Sequence, residues 1–444
     1  MNKIKNLSEG NFLKLFFAFI SAAFLLAAFC MPDRSTMFAG LWQIISQPGK
    51  ISTNFFALGG YAATFLNMGL VGLIALLLFV VLKGTPNNVS TLAFLLTVGF
   101  SSWGIHILNV WPTFLGVAVY ALVKKEKLGT NVNAMLFSTG IAPLISDLLV
   151  RYPNAEVVGF NLPGLLVTLL VGFAIGFALP AGLAHSPNTH KGFDLYSAAV
   201  PVCLFAFFLN ATLYKTMGID LPAAPSADTL KVASQSIVNI FCSVVFGLCV
   251  VGALMMGCKP KDYLALLRSE KHIGSVSAAM GTPVFLMNVG IYGLFILAYY
   301  NLIGASFNGI TFGIIFCMLC TCNSGSHPGN VWPIMLGYVV GSTVFGWLSG
   351  IAGGSYAMNI NAQAIAIGLC FANGLSPITS KYGWFWGMVS AIMHFLLVTS
   401  VPNLHGGYCL YNGGFTAAVI CIILIPELER FCKTKEERKA LKAK

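Results

Sequence analysis

Two stretches carry the residue types that could hold a polar solute. Residues 104–112 read GIHILNVWP and residues 325–333 read GSHPGNVWP. In each, a histidine (His106, His327) precedes an asparagine (Asn109, Asn330) by three positions, and a tryptophan and proline close the motif (Trp111, Trp332). Imidazole and amide groups bind through hydrogen bonds, and the indole can wall a pocket. Glycine and proline interrupt a helix and leave backbone groups open to a ligand. Ser102 and Ser324 stand just upstream and add hydroxyls. A second matched break holds Pro143 with Ser146 and Pro377 with Ser380, followed by Asp147 and Lys381. A third pattern, P-N-x-H-x-G-[FY]-x-L-Y, contains His190 and His405. This chemistry is binding, not catalysis. No Walker lysine loop, HExxH, GxSxG or EF-hand pattern occurs, so neither an enzyme nor a bound cofactor is expected.

The elements that must position these groups are apolar helices. Of the 444 residues, 57% are hydrophobic and only 9% charged, with 46 glycines and 35 phenylalanines. A soluble domain carries about 25% charged residues. Several apolar runs approach, with their flanks, the roughly 20 residues that cross a bilayer core. An all-α polytopic membrane protein follows. The net charge of +11 does not indicate nucleic acid. It gathers in Lys3, Lys5 and Lys14, in 124–127, in Lys259, Lys261, Arg268 and Lys271, and in the tail 430–444. All flank apolar runs, as cytoplasmic loops do. The first apolar run could pass for a signal peptide, but 237–256 opens the second half similarly, so a retained first helix is expected. The twelve cysteines are scattered in apolar segments, and Cys317, Cys320 and Cys322 are read as packing because the other half has no matching set.

Repetition extends far beyond the two motifs. Asn109 and Asn330 stand 221 positions apart, and at that offset Asn67, Gly69, Gly72 and Leu73 meet Asn288, Gly290, Gly293 and Leu294. Downstream, 139–146 matches 373–380 and 187–196 matches 402–411. The chain divides into a first repeat at 1–221, a polar linker at 222–231, a second repeat at 232–429 and a basic tail at 430–444. Loops that are basic in one copy are nearly uncharged in the other, so the copies should cross the membrane in opposite senses. Opposite senses require an odd number of crossings. Seven runs per copy are predicted, in the first at about 15–31, 64–82, 89–104, 108–123, 132–150, 163–184 and 193–213, the third and fourth of which are short enough to be re-entrant.

In inverted-repeat transporters, solute binds near the midplane where broken helices from the two copies meet. The expected site is therefore a cavity shared by both motifs. It would be lined by His106, Asn109, Trp111, Ser102, His327, Asn330, Trp332 and Ser324, with Ser146 and Ser380 beside it. Asp147, Lys381, His190 and His405 are candidates for coupling or gating. Asp147 either pairs with Lys381 or, like it, lies near a helix end facing water. Asp194 is the other carboxylate in an apolar context. Simpler roles stand beside these: tryptophan in the aromatic belt, proline in a first helical turn, and Asn67 and Asn288 as amide contacts between helices. No metal site is expected. The rival reading uses the repeat-paired histidines as axial ligands to haem or a metal.

The duplicated NVWP unit, from about Phe12 to Glu429, resembles a family of bacterial inner-membrane proteins classed as a domain of unknown function. That resemblance implies a multi-pass protein of the bacterial inner membrane and supplies no substrate. The seven-plus-seven inverted arrangement is also similar to the nucleobase and sulfate transporter fold. The expected function is transport of a small neutral or anionic solute, by a secondary transporter or a channel-like facilitator. The partners are the bilayer and that solute, with a homo-oligomer possible and no nucleic acid. Both termini are placed in the cytoplasm.

Overall fold

The computed structural model describes residues 7–154, 156–223, 232–269 and 272–443. Lys3, Lys5, Lys271 and most of the expected linker lie outside these. Repeat one runs α1 (Glu9–Cys30), α2 (Met37–Ser46), α3 (Phe55–Val81), α4 (Asn88–Phe100), α5 (Trp111–Val123), α6 (Val132–Ser138), α7 (Ala142–Val150), α8 (Leu162–Thr189) and α9 (Ala199–Asn210), the last extended by a π-helical turn, Ala211–Thr216. Repeat two runs α10 (Gln235–Met255), α11 (Pro260–Leu267), α12 (Val276–Met280), α13 (Thr282–Leu302), α14 (Gly309–Leu319), α15 (Pro328–Ile351), α16 (Gln363–Ala372), α17 (Ser376–Tyr382), α18 (Trp384–Val398) and α19 (Asn412–Phe431). A tail helix, α20 (Lys435–Lys442), follows. No strand occurs among the described residues. Nine helices there are long and apolar enough to cross a membrane. Their outer faces expose Leu170, Phe208 and Trp347, as a lipid-facing surface would.

Local chemistry explains the matching shapes of the two copies. Asn87 caps α4 in a reciprocal box with Ser90, and Asn308 caps α14 in the same box with Thr311. Gly60 kinks α3 at φ 86° and ψ 177°, and Gly281 separates α12 from α13 at φ 89° and ψ 159°. Only glycine adopts that backbone at little cost. Asn67 on α3 donates through Nδ2 to the carbonyls of Ser101 and Ile105, at 2.7 and 2.8 Å. Asn288 on α13 donates to those of Cys322 and Ser326, both at 2.9 Å. Each amide thus satisfies carbonyls that the frayed end of the next helix leaves open.

The arrangement of α4 and α14 fixes the relation between the copies. The two helices are too short to span a bilayer, but they are buried along nearly their whole length in protein. They lie antiparallel. A Cβ on Gly313 would meet the Gly99 carbonyl and Ser102, Cys317 faces Leu96, and Asn323 Nδ2 donates to Thr91 at 3.1 Å. Equivalent helices running in opposite directions require a two-fold axis across them, so the repeats are inverted.

One end of the molecule is basic. Lys83 and 124–127 lie there, where Gly84 adjoins Gly129, as do α11, Lys191, Lys381 and α20, whose Arg438 donates to the Tyr382 carbonyl at 2.6 Å. The far end carries Lys50, Arg151, Tyr214 and Tyr408.

Candidate functional site

The NVWP motifs build the scaffold and do not meet. In repeat one, the Asn109 side-chain oxygen accepts the His106 backbone N–H at 2.9 Å, and its Nδ2 donates to the Gly104 carbonyl and to Ser146 Oγ, both at 2.9 Å. In repeat two, Asn330 makes the same set: the His327 N–H at 2.9 Å, the Gly325 carbonyl at 2.9 Å and Ser380 Oγ at 3.1 Å. The imidazoles close the turn, with Nδ1 of His106 and His327 accepting the N–H of Leu108 and Gly329. His106 Nε2 also pairs with Ser146 Oγ at 2.9 Å.

Each motif is therefore a self-satisfied knot that joins one helix break to the other. The knots stand at opposite ends of the antiparallel α4–α14 pair. Counting outward from the Leu96–Cys317 contact, at about 1.5 Å per residue, Gly104 and Gly325 lie roughly 24 Å apart. The expected single cavity lined by both motifs is corrected to two separate turns.

Three further expectations change. Trp111 and Trp332 are 48% and 42% exposed and point outward, Trp111 onto an apolar groove and Trp332 against Trp384. They do not wall a polar pocket. Ser102 Oγ donates to the Gly99 carbonyl and packs beneath Gly313. Asp147 does not pair with Lys381. It is fully buried at the far end, held by Arg151 Nε at 2.7 Å, Tyr214 at 2.7 Å and Tyr408 at 2.9 Å, whereas Lys381 is exposed at the basic end above the Phe193 ring.

The third sequence pattern is the joint between the copies. Leu195 N–H donates to the Gly374 carbonyl at 3.1 Å, and Leu410 N–H donates to the Gly140 carbonyl at 2.8 Å. Beside these bonds the Tyr196 ring covers Gly374 and the Tyr411 ring covers Gly140, so closely that an added Cβ would fall 2.5 and 2.7 Å from ring carbons. Each repeat inserts its Leu-Tyr into the glycine break of the other. His190 and His405 hold these turns, their Nδ1 atoms accepting the N–H of Asp194 at 3.3 Å and of Cys409 at 3.1 Å. The sequence held the pairing of the two motifs, but not that each docks on the opposite copy.

A cavity with polar residues in its wall lies between the repeats and opens at the basic end. It measures about 470 Å³ and is lined by Asn133, His190, Asp194 and Ser197 from the first copy and by His272 and Ser324 from the second. Three of these residues carry a buried side-chain atom with no hydrogen-bond partner: Asp194 Oδ2, Asn133 Oδ1 and His272 Nδ1. Burial lowers the His272 pKa to about 4, which leaves that ring neutral. A second cavity of about 290 Å³ continues the first past Gly192 and His272 to Lys381 and Thr434.

The matching positions at the far end are filled instead. There the Lys50 ammonium donates to the Pro222 carbonyl and sits 5.1 Å from the centre of the Tyr408 ring, while Tyr408 and Tyr214 share the Asp147 carboxylate. Every charge in that cluster has a partner.

Residues 33–215 and 261–430 match the model of a family described as a protein of unknown function, DUF1576. The two matched segments fall on the two repeats. No curated protein and no solved structure matches.

Proposed function

Since the chain belongs to the DUF1576 family, whose description assigns no function, we propose from its geometry that it carries a small polar solute across a bilayer, presenting one inter-repeat cavity to each side in turn. One observation carries this reading. Asp194, Asn133 and His272 line one cavity between the copies, and each carries a buried side-chain atom without a hydrogen-bond partner: Oδ2, Oδ1 and Nδ1. A buried polar atom without a partner costs about 1–3 kcal/mol, so three on one wall favour a ligand that satisfies them.

The inverted symmetry supports the alternation. An open end and a closed end built from equivalent segments can exchange roles by rocking one set of helices against the other. In this conformer the basic end is open. By the positive-inside rule that end faces the cytoplasm of a bacterial inner membrane, with both termini on it. The cavity has the size of a small-metabolite site. It suits a neutral or anionic solute when Asp194 is protonated.

The haem or metal reading loses its motive. The paired histidines each spend Nδ1 on a backbone N–H of their own turn, and that role explains their repetition.

The test uses the full chain in liposomes with Ser324→Cys as reporter. An impermeant maleimide should reach it from the basic side, and a solute found in a metabolite screen by thermal stabilisation should slow the labelling. Asn133→Leu should abolish both effects. Solute uptake that Asn133→Leu leaves intact, or protection that it leaves unchanged, overturns the assignment of the cavity.

A further inference from the structure

We propose that Asp194 is the proton-coupling site of this carrier: it takes one proton from the basic-end cavity and transmits its presence to the clasp between the repeats. The inference rests on the transport reading. Asp194 is 2% exposed, and among the described residues it is the one acid on the wall of the 470 Å³ cavity. Its two oxygens have different surroundings. Oδ1 accepts the Tyr196 N–H at 2.9 Å. Oδ2 is buried and has no hydrogen-bond partner, on a residue that lines the cavity. The titratable groups around it among the described residues are His190 on its own turn, Cys421 on α19 and His272 across the cavity, with Lys191, Lys381, Glu429 and Glu436 at the mouth. None of them forms an ion pair with it among the described residues. A single carboxylate beside one amide oxygen offers too few ligands for a metal cation, which takes six or more oxygens or a tight cage. A proton needs only one.

The consequence of binding follows from the same two oxygens. Hydronium reaching the cavity transfers its proton to Oδ2, leaving a carboxylic acid and a water molecule. Oδ1 then changes from a charged to a neutral acceptor, and the bond from Tyr196 N–H weakens. That N–H belongs to the dipeptide whose other half donates to Gly374, and whose ring is tied through its hydroxyl to Asn373 Oδ1 at 2.7 Å. At the same time Oδ2 becomes a donor with no acceptor among the described residues. Protonation therefore loosens the clasp and presents an O–H to an acceptor on the solute. Proton and solute then load on the same side, which is symport. The equivalent position in the second copy is Cys409, whose Sγ lies 3.0 Å from Cys203 Sγ, so the proton site exists once per chain.

The experiment uses protons alone as the probe, so it does not depend on the solute's identity. Infrared difference spectra of the reconstituted full chain between pH 8 and pH 5 should show a buried carboxylic-acid band that titrates. The band should be lost in Asp194→Asn and kept, shifted, in Asp194→Glu and unchanged in Glu126→Gln. Ser324→Cys labelling by an impermeant maleimide, corrected for thiol ionisation against the same reporter in Asp194→Asn, should change about tenfold across that range, as expected when a charge-assisted bond becomes a neutral one. A titrating band that survives in Asp194→Asn overturns the proposal, as does a corrected labelling rate that ignores pH. Either result leaves solute protection of the same reporter intact if the carrier reading is right, so the two can fail separately.

Discussion

Tyr196 and Tyr411 occupy the same position in the two clasps, yet removing their hydroxyls should have unequal consequences. The Tyr196 hydroxyl is fully enclosed. It lies 2.7 Å from Asn373 Oδ1, 3.0 Å from the Cys317 carbonyl and 3.1 Å from the Cys370 carbonyl. Its proton serves the Asn373 oxygen, while the Asn373 Nδ2 is committed to Tyr292, Met318 and Thr321. Tyr196→Phe therefore strands a buried amide oxygen that cannot turn to another donor, at a cost of about 1–2 kcal/mol. The Tyr411 hydroxyl is equally buried, and a polar neighbour, the Thr139 hydroxyl, lies close by but outside good hydrogen-bond geometry. Its neighbour Thr139 donates to the Leu136 carbonyl at 2.6 Å. Tyr411→Phe removes an unsatisfied group and should fall within about 0.5 kcal/mol of the parent, or stabilise it. Unfolding in mixed micelles, followed by tryptophan fluorescence, measures both. Equal losses in the two variants would refute the hydrogen-bond account and leave only ring packing over Gly374 and Gly140.

The remaining predictions concern the gate, the knots and the kinks. Lys50→Met should release the far end, raising far-side labelling of an Ile51→Cys reporter several-fold while labelling of Ser324→Cys falls; if both rise together, the ends do not exchange. His106→Gln and His327→Gln should each lower the unfolding midpoint yet leave solute protection of Ser324→Cys unchanged, because both rings serve their own turns. Gly281→Ala should cost about 1–3 kcal/mol through backbone strain alone, since its Cβ would meet nothing nearer than Pro283 at 3.6 Å. Gly60→Ala should cost more, because its Cβ would lie 2.2 Å from the Asp33 carboxylate, which accepts the N–H groups of Tyr61 and Ala62.

Much of the fold was legible because it is repeated. An offset of 221 that brings Asn67 onto Asn288 also brings the Gly60 kink onto Gly281 and the Asn87 cap onto Asn308. Loop charge then gave the inversion. Helix boundaries were less legible. The expected run from 64 begins at Phe55, where the Asn54 side chain accepts the Phe56 N–H at 3.1 Å, and Gly60 lets one helix bend. The expected run from 193 begins at Ala199, because 190–198 forms the clasp. Hydropathy cannot separate an apolar turn inserted into a partner from the first turn of a helix.

The site was less legible, for a reason that lies in the symmetry. A residue repeated in both copies serves what both copies need, which is structure: knots, caps and clasps. A substrate sits in one place at a time, and in any single conformer the two ends must differ. The residues that distinguish the ends are those where the repeats disagree. Tyr408 ties to Asp147 at the far end, while Phe193, its equivalent, has no hydroxyl to tie. Asp147 is matched by Lys381, and Cys409 by Asp194. At the far end these choices complete a hydrogen-bonded plug, and at the basic end they leave an unpaired aspartate in the lining of a cavity. Restoring the missing contact is a direct test. Phe193→Tyr with Lys381→Asp rebuilds the Tyr–Asp pair at the basic end, and should shift the population toward closure there. Each hydrogen bond to a charged group contributes about 1.5–3 kcal/mol, enough for a tenfold or greater fall in Ser324→Cys labelling with a matching rise at Ile51→Cys. A double variant whose two reporters do not move in opposite directions would show that the ends are not alternative forms of one gate.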